Sequence, residues 1–120
     1  MRIAVSSQNF RSITGHAGKA RRFMVFENSD DGEVREVVRF DLPPEMAMHG
    51  FDDSRTHPLD GVNVLITASC GEGFARRMQL RGVRVVVTGA NEPAAAVRDF
   101  LAGSLAPPPD DGEEACGCHD

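Results

Sequence analysis

The strongest constraint on this chain lies in its second half, where two short apolar runs flank one amphipathic segment. VNVLIT (62–67) and VRVVVT (83–88) are too short for helices and rich in β-branched residues, so each reads as a buried strand. Between them, Phe74 and Met78 stand four residues apart, Ala75 and Met78 three apart, and Gly82 is placed to stop a helix over 74–81. Ser69-Cys70-Gly71-Glu72-Gly73 is the tight connection into that helix. Strands joined by a helical crossover lie parallel. The chain is therefore α/β. A final helix follows, with Asn91 as its expected cap, Pro93 in its first turn, and Val97, Phe100 and Leu101 on one face until Gly103.

The first half reads differently. Residues 1–7 form a strand around Ile3, Ala4 and Val5, and residues 8–22 form a loop containing Gly15 and Gly18. FMVFEN (23–28) and residues 33–40 are strands joined by Ser29-Asp30-Asp31-Gly32, a turn sequence suited to an antiparallel hairpin. Residues 41–58 hold Pro43, Pro44, Gly50 and Pro58, and read as a long loop with room for a short helix. A mixed five-stranded sheet with flanking helices, the first strand beside the fourth, accommodates all of this. That arrangement is ribonuclease-H-like. A length of 120 residues suits one domain, assigned to 1–105, with 106–120 as a flexible acidic tail.

Charge narrows the functions. A net charge of -5 argues against non-specific nucleic-acid binding, although Arg11, Lys19, Arg21 and Arg22 make a local basic candidate. Trp and Tyr are absent, so aromatic stacking platforms are scarce. No apolar run has the length of a membrane span, and the chain opens on a strand rather than a signal peptide. A cytoplasmic protein is expected, with no nucleic-acid or membrane partner. Its three cysteines would then remain thiols, available to metals.

In open α/β sheets, ligands bind beyond the carboxyl ends of the strands, where strand order reverses. Here that point falls between the first and fourth strands. One loop there carries His16, the other Cys70 followed by a helix start. Gly71 and Gly73 would let a ligand approach the free N–H groups of that helix. Imidazole and thiolate are soft donors suited to iron–sulfur clusters and late transition metals. Met46, Met48, His49 and His57 offer further soft donors, but the methionines read as packing residues and the histidines as solvated. In the tail, Cys116, Cys118 and His119 put three donors within four residues, in C-G-C-H, fit for zinc or another soft metal. The first strand, RIAVSS, lacks the carboxylates of a two-metal nuclease. No phosphate-binding loop appears, and Ser69, His16 and Asp60 have no spacing that supports a nucleophilic triad.

Two stretches carry a family resemblance. His16-Ala17-Gly18-Lys19-Ala20-Arg21-Arg22-Phe23 resembles the His-Phe-Gly-x-Ala-x-x-Phe signature of dinitrogenase iron–molybdenum cofactor biosynthesis proteins, with Ala17 in place of the aromatic. The run from Gly71 to Val83 is similar to that family's Gly-x-x-Ala-x-x-x-Leu-x-x-x-Gly-Ile. The resemblance covers roughly residues 1–105. It implies a non-catalytic protein that binds the iron–molybdenum cofactor, its precursor or a related iron–sulfur cluster. Other cluster-assembly proteins would be its partners. It places cluster binding on His16, whereas Cys70 is nominated by position and chemistry. A protein-interaction or regulatory module that keeps the fold without a cluster is the competing expectation.

Overall fold

A computed structural model of the chain describes residues 1–108. Among them, five strands form where strands were expected. They are β1 (Arg2–Ser6), β2 (Arg22–Asn28), β3 (Val34–Asp41), β4 (Val64–Thr67) and β5 (Arg84–Val87), with helices α1 (Glu72–Leu80) and α2 (Pro93–Ala102). They make one sheet in the order β3-β2-β1-β4-β5. β1 runs antiparallel to β2 and parallel to β4, and β4 runs parallel to β5. This is the mixed five-stranded α/β sheet the sequence implies.

The strands β1, β2 and β4 are buried on both faces, as continuous apolar strands require, whereas the edge strand β3 is mostly exposed. Ala4, Val25 and Leu65 face one side with Phe74 and Met78 of α1. Ile3, Val5, Met24 and Ile66 face the other with Ala96 and Val97 of α2. Gly82 (φ 83°) and Gly103 (φ 78°) close the helices in the left-handed conformation. Two details depart from expectation. The cap of α2 is Glu92, whose carboxylate accepts from the N–H groups of Ala94 (2.7 Å) and Ala95 (3.3 Å), whereas the Asn91 carbonyl accepts from Ile13 N–H at 2.8 Å. Leu101 is 37% exposed and lies off the buried face that holds Val97.

The segment read as a long loop contains three 3-10 turns, Pro44–Met46, Met48–Gly50 and Pro58–Gly61. Its apolar residues Met48, Phe51 and Leu59 complete the core beneath α1, with Met46 partly buried against it. It is clasped to α1 from outside. Arg77 chelates Asp53 (2.8 Å) and donates to the Phe51 carbonyl (3.0 Å), while Arg81 pairs with Asp60 at 2.9 Å.

His57, expected to be solvated, is buried. It caps the third turn. Its Nδ1 accepts from Leu59 N–H (3.1 Å) and its Nε2 sits 2.7 Å from the Met46 carbonyl, which fixes a neutral ring protonated on Nε2. Burial pushes the imidazole below its ordinary value of 6.5, against the bond to Met46. Arg81 adds to the depression and Asp60 opposes it. Burial would raise the Asp60 carboxyl, but the His57 N–H and the Arg81 guanidinium outweigh it and hold that carboxyl low.

Candidate functional site

Strand order reverses between β1 and β4, and the loops leaving their carboxyl ends are stitched together there. Ser6 and Thr67, both fully buried, end otherwise apolar strands with hydroxyls. These hydroxyls lie 2.8 Å apart and both donate to the Thr14 carbonyl, at 2.6 and 3.2 Å. Ala68 N–H reaches the same carbonyl at 3.2 Å, and Thr14 N–H returns to Ser6 at 2.9 Å. The loop after β1 is thereby folded back onto the end of β4.

Its tip carries His16. Ser69 Oγ accepts from His16 N–H at 2.9 Å, and the Ser69 carbonyl accepts from Ala17 N–H at 3.2 Å. A Cβ on Gly15 would stand 2.2 Å from Ser69 Oγ, so only glycine allows this approach. His16 itself adopts φ 54°, a conformation that costs an L residue about 1 kcal/mol or more. Its carbonyl accepts from Lys19 (2.9 Å) and Ala20 (3.1 Å), and its side chain is exposed. Gln8 braces the loop, its Oε1 accepting from Arg21 and Arg22 N–H at 2.9 and 3.1 Å. Gln8, Thr14, Gly15, His16, Lys19 and Ala20 line an open pocket of about 450 Å³.

The second loop sets Cys70 half-buried against the core on the α1 side. Gly71 then starts α1 with no side chain capping it. The N–H groups of the first turn are left to other acceptors. Gly73 is exposed, and a Cβ there would meet nothing within 4 Å, so its glycine answers no internal crowding. His16 and Cys70 therefore stand on two loops joined through Ser69. His49 lies exposed beyond them, its N–H donating to Gly18 at 2.6 Å. Cys116, Cys118 and His119 lie outside the described residues.

Lys19 lines the pocket and is exposed, and Arg11 is exposed earlier in the same loop. Arg22 pairs with Asp41 at 3.3 Å, and Arg22 and Arg39 both lie over the Phe10 ring, 5.4 and 5.0 Å from its centre. The Ser69, His16 and Asp60 side chains form no relay. Asp60 is held by His57 N–H and Arg81, and Ser69 Oγ by the His16 backbone. Among the described residues, no group of three or more His, Cys, Asp or Glu is arranged to hold a metal ion. Sequence reasoning missed Ser6, Thr67, Ser69 and Gly15. The available signal was a hydroxyl residue closing each of two apolar runs.

Comparison with known proteins places this geometry in context. The family described as dinitrogenase iron-molybdenum cofactor matches residues 1–103. Protein NifX of Sinorhizobium fredii is 29% identical over 121 residues, covering 91% of this chain and 74% of its own. The crystal structure of PH0822 superposes with a TM-score of 0.63 at 20% identity, covering 92% of this chain and 98% of that one. The apo form of the orange protein of Desulfovibrio gigas gives 0.57 at 20% identity, over 87% and 89% of the two chains. These structural likenesses concern the fold alone. No helix among the described residues is long and apolar enough to cross a membrane.

Proposed function

The chain belongs to the dinitrogenase iron–molybdenum cofactor family, and on that footing we propose that it binds and carries an iron–molybdenum or iron–sulfur cluster, or a precursor, during metallocluster assembly. The observation that carries this reading is the tip of the loop after β1. An imidazole is held out to solvent, in a costly backbone conformation, over an open pocket. Such strain at an exposed donor fits ligation better than packing. Cys70 supplies a second soft donor, and the uncapped start of α1 at Gly71–Gly73 supplies N–H groups for an anionic cluster. Lys19 adds positive charge at the rim. Cys116, Cys118 and His119 serve as a capture element for a soft metal. Few protein ligands suit cargo that must be passed on. The role is binding rather than catalysis, in the cytoplasm, with other cluster-assembly proteins as partners. A ribonuclease-H-like description of the fold belongs to the same reading, supported by the strand order β3-β2-β1-β4-β5.

The test is anaerobic loading of the full chain with iron and sulfide, and separately with preassembled iron–molybdenum cofactor. Wild type should take up one of these stoichiometrically. His16→Asn, which tolerates the same backbone conformation, should remain folded and lose most of the bound metal. Equal loading of both proteins would remove His16 from the site, and no loading of either cargo would favour an interaction module without a ligand.

A further inference from the structure

β3 ends the sheet, and among the described residues no strand pairs with its outer side. Its ladder to β2 is irregular at one place. Val38 stands opposite Val25 and Glu36 opposite Phe26, so Val37 is an extra residue, a β-bulge. The direction of the backbone groups follows from the bonds at either end. Leu42 N–H donates to the Arg21 carbonyl at 2.9 Å. Alternation then turns Phe40 and Val38 toward β2 and leaves Arg39 and Asp41 facing outward. Ser29 N–H donates to the Glu33 carbonyl at 2.9 Å. Arg35 accordingly faces β2, whereas Val34 and Glu36 face outward. The outward positions are therefore 34, 36, 39 and 41, placed symmetrically about the midpoint between Val37 and Val38.

The side chains share that symmetry. Val37 and Val38 are exposed, at 40% and 36%, in the middle of the strand. Glu36 and Arg39 flank them and stand on one face, since they pair with each other across the bulge at 2.6 Å. Charges and bulges guard edge strands against pairing. Here they oppose every neighbouring register but one. When a second copy lies antiparallel about that midpoint, outward groups meet outward groups at all four positions. Val37 then lies opposite Val38, and Glu36 opposite Arg39, each twice over. A shift of one residue in either direction sets outward groups against groups already bonded to β2. A shift of two breaks the match at the extra residue, and in one direction opposes Glu36 with Asp41.

We propose that β3 is a self-complementary docking edge whose partner is a second copy of this chain, paired antiparallel about Val37 and Val38. The two sheets become one, continuous across both copies. The two Glu36–Arg39 pairs fix the register, and the exposed valines meet between them. One strand pair makes a small interface, so the dimer is reversible, with a Kd between about 1 μM and 1 mM. The inference does not depend on the cluster reading. The loops of His16 and Cys70 leave β1 and β4, and β2 separates those strands from β3.

Sedimentation equilibrium of the full chain is the test, with thiols kept reduced to exclude disulfide dimers. Wild type should be monomeric when dilute and dimeric as its concentration approaches about 1 mM. Arg39→Glu and Glu36→Arg each set like charges opposite one another twice, and should weaken association by roughly tenfold or more. An equimolar mixture of these two variants should form a heterodimer, because every opposed pair is then of unlike charge. Glu36→Arg/Arg39→Glu should dimerise like wild type. Amide exchange locates the contact: the N–H groups of Glu36 and Arg39 should exchange more slowly in the dimer than in dilute wild type. Circular dichroism checks that each variant is folded. A wild type that stays monomeric throughout would overturn the proposal. So would a dimer that Arg39→Glu leaves intact, or one in which the Glu36 and Arg39 amides gain no protection, because the contact would then lie elsewhere. Failure of the two single variants to associate on mixing would overturn the proposed pairing as well.

Discussion

At the scale of single residues, the site depends on one missing side chain. Gly15 has no Cβ because Ser69 Oγ occupies that space, and the same oxygen holds the His16 N–H. Gly15→Ala should therefore destabilise the fold by about 1–3 kcal/mol through overpacking. Ser69→Ala should relieve part of that cost. A double-mutant cycle read by urea unfolding should show favourable coupling between the two changes. Additive effects would mean that the loop relaxes around the added methyl group without pressing on Ser69. The motif resemblance nominates His16 from sequence alone. Ser69 was legible only as a component of a turn, because its role comes from a contact between positions 53 residues apart.

At the scale of elements, the strap of 3-10 turns before β4 is the main addition to what the sequence announces. Its prolines and short polar runs break any helical period; Met48 reads as a packing residue, but nothing local forecasts that it joins Phe51 and Leu59 in sealing the core under α1. His57 holds the strap only while neutral, since a proton on Nδ1 would turn the acceptor of Leu59 N–H into a donor. Its depressed pKa sets the sign. The unfolded chain binds the proton more readily, so this contribution is complete above 6.5 and is lost as pH falls from there through the folded value. Asp60, held low, keeps its charge through that window. Urea unfolding should show wild type losing stability between about pH 7 and 5, and His57→Asn, a non-titrating residue that still caps, should flatten the profile. Parallel profiles would mean that other groups dominate the loss.

At the scale of the molecule, stability and the proposed site occupy different places. The two cores above and below the sheet hold it together, while the carboxyl edge gathers the loops after β1, β4 and β5. Met78→Ala, in the core beneath α1, should cost about 2–5 kcal/mol and lower the melting temperature, yet leave cluster uptake per folded molecule unchanged. Reduced uptake at full folding would show that the core transmits strain to the edge. The order of elements was written in the sequence. Short β-branched runs can bury both faces only as strands, and the Phe74–Met78 spacing between two of them dictates a parallel pair. The terminators Gly82 and Gly103 were equally plain, because each follows from local chemistry. Only the tertiary structure decided that Thr14 is shared by Ser6 and Thr67, that His57 is buried, and that Glu92 caps α2. These depend on which distant backbone groups remain unpaired once the sheet has closed, and local periodicity does not encode that pairing.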